Sequence, residues 1–276
     1  MKRDAAAGLF PPATALLSRA VWYVLEQAHG VVVLGLLGSA PFALLLVLFL
    51  REAWETLLIP GTTAASLRPL AFGLAGVYLL RFPLRLALAR WMAEQRHGGQ
   101  PSLLRALGFA LKQAPAAFHY GALSTLGWML GSVVVLPFVL TLRASLAFHL
   151  FAGGSGSARQ AWAQARRVPI VALGFRLSAV ASVMFLGLWL VLGSAPGTAL
   201  SLAEWLLKLN VTALREVLGF ASPTWQLGAL ALSWMAVELV WSVAFGLLAE
   251  EWERLSQGSD VLAELQALEA RGEVFA

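Results

Sequence analysis

The sequence contains no cysteine among its 276 residues, and charged residues make up only 13% of it. Without cysteine the chain has no disulfide, no thiolate metal site and no thiol nucleophile. Aspartate occurs only at positions 4 and 260, close to the two ends. Paired aspartates are therefore absent from the interior of the chain. This excludes enzymes and metalloproteins that use two aspartates for acid–base catalysis or metal binding.

Apolar residues make up 59% of the chain, compared with roughly 45–50% in soluble domains. A membrane-spanning helix needs about 20 mostly apolar residues. The sequence therefore predicts an all-α fold, a polytopic membrane helix bundle of about six transmembrane helices with interfacial amphipathic helices. The six apolar runs lie at 30–50, 69–90, 116–134, 137–152, 169–193 and 225–249.

The fourth run is short, and residues 116–152 could instead form one long helix kinked at Pro137. The positive-inside rule favours six spans, since 12 Lys and Arg residues, including Arg90 at the end of the second run, then lie on one side and 4 on the other. Five spans divide them 9 to 7. We therefore expect both termini in the cytoplasm, with residues 1–29 as the N-terminus and interfacial helix, 30–249 as the membrane domain and 250–276 as an acidic tail.

A short internal repeat precedes two of the predicted spans. Residues 19–28 match residues 105–114 at an offset of 86, and a weaker third copy runs from Ser157 to Pro169. Each copy has apolar residues at helical spacing, which predicts short amphipathic helices in the plane of the lipid headgroups. In the first copy we expect one apolar face to contain Leu17, Val21, Val24, Leu25 and Ala28.

The connection between residues 194 and 223 is predicted to be an outer loop that contains one helix. Ser201 with Glu204 three residues later has the spacing of a capping box, and Gly219 is a C-cap candidate. The helix should therefore run over residues 202–218. We expect it to lie on the outer leaflet or to cover the mouth between the last two spans.

Five charged residues lie inside the predicted spans, namely Arg81, Arg85, Arg143, Arg176 and Glu238. A charge in the hydrocarbon is costly unless it snorkels or finds a partner. Glu238 can neutralise one arginine, and arginine binds phosphate and carboxylate through its forked donors. We therefore predict a basic cleft in which the four arginines hold an anionic lipid headgroup or another phosphate-bearing ligand, with Glu238 as the charge partner. The alternative is that the arginines snorkel to bulk headgroups and hold helices together.

The remaining motifs predict no catalysis. The sequence has no nucleophile elbow, no Walker A sequence and no paired-histidine metal motif. The histidines lack carboxylates at ligand spacing, so we expect them to line helix interfaces and we predict no metal site and no cofactor. They are His29, His97, His119 and His149.

The order of elements, in which three amphipathic helices each precede a pair of spans, resembles a bacterial membrane-domain family. That family includes the membrane portion of some glycerophosphodiester phosphodiesterases. The resemblance depends mainly on residues 142–175, where a span ends in a Gly-rich turn followed by Arg166 and Arg167. The acidic residue expected before the turn is absent from Phe148–Phe151, and the catalytic domain is absent too. The resemblance therefore implies an anchoring or lipid-associated domain without hydrolysis.

These observations together predict a non-enzymatic, multi-pass protein of a bacterial cytoplasmic (inner) membrane. We expect it to act as a scaffold or accessory subunit that engages anionic lipid, with no nucleic-acid partner, because its charges flank apolar runs. Residues 250–276 are expected either to bind a cytoplasmic or membrane protein partner or to fold back on the basic interfacial helices. The competing class is a transporter or permease component for an anionic or lipid-like substrate, which the repeat and the intramembrane charges favour.

Overall fold

A computed structural model describes residues 11–58, 67–96, 98–131, 135–154, 156–168, 170–208 and 210–258, and every regular element within them is a helix. The all-α prediction is therefore confirmed for this part of the chain. In chain order the helices are α1 (Ala13–Glu26), α2 (Ala28–Leu58), α3 (Leu67–Arg96), α4 (Leu103–Lys112), α5 (Ala114–Gly131), α6 (Val135–Gly153), α7 (Ala158–Arg167), α8 (Ile170–Leu207), α9 (Thr212–Leu218) and α10 (Pro223–Gln257).

Four of these helices, α2, α3, α8 and α10, are long and apolar enough to cross a membrane. Their outer faces expose large apolar side chains, including Leu44, Phe72 and Val183. In water such a surface would favour aggregation, whereas lipid tails solvate it. The four helices are compatible with a membrane protein, as the sequence predicts.

Helices α5 and α6 form a hairpin. The hydroxyl group of Thr141 on α6 donates a hydrogen bond to the carbonyl oxygen of Ser124 on α5, at 3.0 Å. In one straight helix these two residues would be about 25 Å apart. This contact excludes the alternative in which residues 116–152 form a single helix kinked at Pro137, although residues 132–134 themselves lie outside the described residues.

The helices form three units, each a short helix followed by a hairpin of longer ones: α1–α3, α4–α6 and α7–α10. The last helices of the units, α3, α6 and α10, contact one another at the centre of the bundle. Their buried side chains, including Leu86, Leu146 and Phe245, belong to one hydrophobic core. Around this centre the packing is cyclic, because α4 packs on α3, α7 on α6 and α1 on α10. We call these three short helices the collar, since they surround the end of the bundle where α3, α6 and α10 finish.

The fold preserves the internal repeat. The backbone N–H of Gln27 donates to the carbonyl oxygen of Tyr23, and that of Gln113 donates to Phe109, both at 2.9 Å. In both copies the next helix begins one residue later. The third copy has the same bounds as the second at an offset of 55 residues, and both bury two alanines that point at the core, Ala106 and Ala110 in α4 and Ala161 and Ala165 in α7.

Helix α1 buries only part of the predicted face, since Leu17 is buried and Val24 packs against the core. Ala13, Leu16, Leu17 and Ala20 are its buried residues, whereas Leu25 is 62% exposed. The buried face of α1 is the one that packs on α10. There the Arg19 guanidinium forms a 2.9 Å ion pair with Glu251 of α10. The apolar residues of α1 therefore surround the helix more widely than a single stripe, and some of them face outward.

The connection after the fifth span also differs from the prediction. Helix α8 continues without a break through Pro196 to Leu207, and the shorter α9 starts only at Thr212. Ser201 does not cap a helix, because its hydroxyl group donates to the carbonyl oxygen of Gly197 inside α8. The residues after 193 are apolar enough to extend the helix beyond the predicted boundary. The helix ends only before Lys208, which has a φ of 54°. Gly219 is the C-cap of α9, as predicted.

Helix α10 extends beyond the predicted boundary of the membrane domain. It continues past Ala249 to Gln257 and ends at Gly258, whose φ of 64° is left-handed. The first residues of the predicted acidic tail are therefore part of this helix, and Glu251 already contacts the collar through Arg19. Residues 259–276 lie outside the described residues.

Candidate functional site

Arg81 lies at the junction of three helices. Its side chain is 6% exposed, and its guanidinium group donates a hydrogen bond to Oε1 of Glu238 on α10. The guanidinium carbon is 4.6 Å from the ring centre of Phe42 on α2 and 4.6 Å from that of Trp234 on α10. It is 5.2 Å from the ring of Tyr78 on its own helix. Aromatic faces attract a cation most strongly when water is excluded, so Arg81 holds α2, α3 and α10 together.

Arg85 follows one turn later on α3 and shares the same carboxylate. Its Nε atom is 3.5 Å from Oε1 of Glu238, and its side chain is 31% exposed. Two arginine cations therefore meet one carboxylate, which leaves one positive charge uncompensated. Arg81 is enclosed by rings, so the excess charge is accessible at Arg85.

Arg85 lines a cleft between α3, α5, α6 and α10. The cleft contains about 30 Å³ of space open to water-sized groups, room for roughly one or two water molecules. Phe82, Trp241 and Phe245 form part of its apolar wall. Its polar lining consists of Arg85, Tyr120, Ser124, Ser145, His149 and Ser242. The site is thus a narrow polar gap inside an apolar bundle, positively charged at Arg85.

His149 is one of the buried polar residues of the cleft. It is 5% exposed, and among the described residues its Nδ1 atom has no hydrogen-bond partner. A buried polar atom of this kind is normally satisfied by protein or by ordered water. The cleft beside His149 is large enough for such a water molecule. His149 therefore lines a helix interface and adds hydrogen-bonding capacity to the cleft. His29 and His119, which were also predicted to line interfaces, are exposed, and His97 lies outside the described residues.

The four arginines predicted to form one basic cleft are only partly brought together. Arg81 and Arg85 meet at Glu238, and only Arg85 lines the cleft. Arg143 on α6 is half-buried, and its Nε atom has no partner among the described residues. Arg176 on α8 is exposed. Neither of these two arginines lines the cleft. The predicted anion-binding site is therefore limited to Arg85 and its polar neighbours.

Sequence reasoning missed the aromatic residues around Arg81 and the serines of the cleft. Helical spacing could have revealed part of them, because Trp234, Glu238 and Ser242 are each four residues apart on α10 and Ser145 and His149 are four apart on α6. Polar side chains at this spacing within an apolar span share one face. The contribution of Phe42 on α2 could not be recognised, since it depends on how α2 packs.

The collar is attached to the core helices by specific polar contacts. The Tyr23 hydroxyl on α1 donates to Oε1 of Gln95 at 2.7 Å. Arg90 on α3 lies 5.0 Å from the ring of Phe109 on α4, and the Tyr120 hydroxyl on α5 donates to the carbonyl oxygen of Ala158 at the start of α7. These contacts fix all three collar helices at the same end of the bundle.

No protein-family model matches this chain, and no curated protein and no solved structure matches it either. The resemblance to the membrane portion of glycerophosphodiester phosphodiesterases therefore stays a prediction.

Proposed function

We propose that this chain is a non-enzymatic, six-span protein of a bacterial cytoplasmic membrane, with α2, α3, α5, α6, α8 and α10 as its spans. The hairpin helices α5 and α6 contain 18 and 19 residues, and helices of that length are about 27–29 Å long. This length is close to the roughly 30 Å of the hydrocarbon core. The hairpin can therefore cross the bilayer beside the four longer helices.

The distribution of basic residues supports an orientation with the collar in the cytoplasm. Nine arginines and lysines of the described residues lie at the collar end, compared with four at the opposite end. The collar-end set is Arg19, Arg90, Arg96, Arg105, Lys112, Arg159, Arg166, Arg167 and Arg254. The opposite set is Arg51, Arg68, Lys208 and Arg215. Cytoplasmic segments carry this excess, and both termini are then cytoplasmic.

Within this topology we propose that the protein engages an anionic lipid and acts as a scaffold or accessory subunit. The supporting observation is that Arg81 and Arg85 share the single carboxylate of Glu238. A partly buried cation without a counter-charge is costly in a membrane, and lipid phosphates are the nearest anions. Because the cleft is only large enough for a water-sized group, it would admit one phosphate oxygen while the rest of the headgroup stays outside.

Native mass spectrometry of the full-length protein with added phosphatidylglycerol tests this proposal. Arg85→Gln should lower the fraction of lipid-bound protein about tenfold, because it removes one hydrogen bond between charged groups. Arg176→Gln is the matched control, since that arginine lies away from the cleft. Phosphatidylcholine serves as the neutral probe. Equal binding of phosphatidylglycerol by the parent and both variants would overturn the proposal.

The second candidate is a transporter for an anionic or lipid-like substrate. The observation that favours it is the combination of a threefold internal repeat with a polar cleft inside the bundle, since many transporters are built from repeats around a polar site. Proteoliposomes with fluorescent phosphatidylserine in one leaflet distinguish the two candidates. Movement of the lipid that Arg85→Gln slows would favour transport, whereas binding without movement would favour the scaffold.

A further inference from the structure

The three collar helices occupy equivalent positions, but their outward faces are different. On α1 the side chains of Trp22 and Leu25 are exposed, and on α4 those of Leu104 and Leu111. Apolar side chains of this kind insert into the boundary between headgroups and acyl chains. Helix α7 exposes no large apolar side chain among its described residues. It therefore lacks the lipid-inserting groups of its two counterparts.

The outward face of α7 is basic instead. Arg159, Ala163 and Arg166 are exposed, and their spacing of four and three residues places them along one side of the helix. Arg167 is exposed beside them, and the helix contains no acidic residue. None of the three arginines forms an ion pair within the described residues. The small side chain of Ala163 between two arginines allows another segment to approach closely.

The C-terminal segment, residues 259–276, has the complementary charge. It contains four carboxylates and one arginine, which gives a net charge of −3, and these residues are Asp260, Glu264, Glu269, Glu273 and Arg271. Asp260 and Glu264 are four residues apart, so in a helix they would share one face. The segment thus offers carboxylates to the exposed arginines on either side of Ala163.

The end of α10 lies near the beginning of α7. The Glu253 carboxylate lies against Gly153, where a Cβ atom would be 2.8 Å from Oε1 of the glutamate. Gly153 is the last residue of α6, four residues before Ser157, the N-cap of α7. Helix α10 then ends at Gly258 in a left-handed conformation that turns the chain. The end of α10 therefore lies near the turn that precedes α7.

We propose that the outward face of α7, defined by Arg159, Ala163, Arg166 and Arg167, is the docking site of residues 259–276 of the same chain. Charge complementarity, the proximity of the end of α10 and the missing lipid-inserting groups support this occupant. Docking would cover the outward face of α7, the collar helix that does not expose large apolar side chains to the lipid. It adds an intramolecular contact to the proposed function and does not depend on lipid binding at Arg85.

Cysteine cross-linking of the full chain tests the docking, because the native sequence contains no cysteine. The test pair is Ala163→Cys with Ala267→Cys, since position 267 is three residues after Glu264 and shares its predicted face. The control pair is Glu216→Cys on α9 with Ala267→Cys. We expect an intramolecular disulfide in the test pair and none in the control. A disulfide only between two copies would overturn the proposal.

Reversing the charges of the acidic segment and of the α7 face distinguishes specific docking from a chance encounter of the two cysteines. Asp260→Lys with Glu264→Lys in the test pair should slow cross-linking about fivefold, and adding Arg159→Glu with Arg166→Glu should restore it. Thermal unfolding of each variant checks that the exposed substitutions leave the fold intact. Unchanged cross-linking after reversal would overturn the proposal. Loss of the cross-link in phosphatidylglycerol vesicles, but not in phosphatidylcholine vesicles, would assign the face to lipid and would also overturn it.

Discussion

Arg81 on α3 and Glu238 on α10 form an ion pair between residues that are 157 positions apart in the sequence. The same carboxylate also faces Arg85. Glu238 is therefore the only counter-charge for two cations among the described residues around it. A buried charge that loses its partner is far more costly than a pair removed together. The stability of the central helices should consequently depend more on Glu238 than on either arginine.

Glu238→Gln should lower the free energy of unfolding by about 3–5 kcal/mol, because it removes the counter-charge of the buried Arg81 and of the partly exposed Arg85. Denaturation of the purified protein in detergent micelles measures this. Glu55→Gln is the control, since its partner Arg51 is exposed and surface pairs contribute about 0–1 kcal/mol. Replacing both partners, as in Arg81→Met with Glu238→Leu, should restore part of the loss. Similar losses for the two glutamine variants would contradict the prediction.

The aromatic rings around Arg81 should be energetically coupled to its charge. Trp234→Leu removes one ring at 4.6 Å from the guanidinium carbon, and a desolvated cation–π contact contributes about 2 kcal/mol. A double-mutant cycle with Arg81→Met, measured by denaturation in micelles, should give a coupling energy of about 1–2 kcal/mol. Additive effects of the two substitutions would show that the ring only fills space.

The sequence was sufficient to predict the helical class, the positions of the collar helices and the repeat that places them. Apolar runs and helical spacing are local properties, and α1, α4 and α7 form where these predict. The packing partners were not predictable, because Phe42 and Trp234 meet Arg81 only through the association of distant helices. The end of α8 was missed for a different reason. The spacing of Ser201 and Glu204 fits a capping box, but a helix that continues through Ser201 leaves no free N–H group there to cap.

Gly121 should be intolerant of a side chain. A Cβ atom at this position on α5 would be 2.4 Å from the ring of Phe82, which is buried at the cleft. Gly121→Ala should therefore destabilise the protein by about 1–3 kcal/mol, as overpacking does. Gly76→Ala is the matched control within α3, where a Cβ atom meets nothing within 4 Å. At position 76 the better helix propensity of alanine should raise the free energy of unfolding by up to about 1 kcal/mol. The same sign for both variants in denaturation experiments would contradict this prediction.

Single cysteines should report opposite sides of the membrane without background, because the native chain has none. Lys112→Cys is exposed on α4 in the collar, and Glu216→Cys is exposed on α9 at the other end. A membrane-impermeant maleimide should label position 216 in intact spheroplasts and position 112 only after permeabilisation. Labelling of both positions in intact spheroplasts would contradict the proposed topology, and so would the reverse pattern.

Tyr23 should make the attachment of the collar sensitive to alkaline pH. Burial raises the pKa of its hydroxyl group from 10.0 to about 12, and the protonated hydroxyl donates to Oε1 of Gln95. Because the folded state holds this proton more tightly than the unfolded state, the stabilisation is complete below pH 10 and is lost as the pH rises through about 12.

Tyr23→Phe removes this hydrogen bond, so below pH 10 the variant should be less stable than the parent by about 1 kcal/mol. Denaturation in micelles from pH 8 to pH 12 should show this difference shrinking with rising pH, because only the parent loses the bond to Gln95. Tyr78 and Tyr120 are present in both proteins, so the comparison isolates the hydroxyl of Tyr23. A difference in stability that stays constant up to pH 12 would show that the hydroxyl of Tyr23 does not hold α1 against α3.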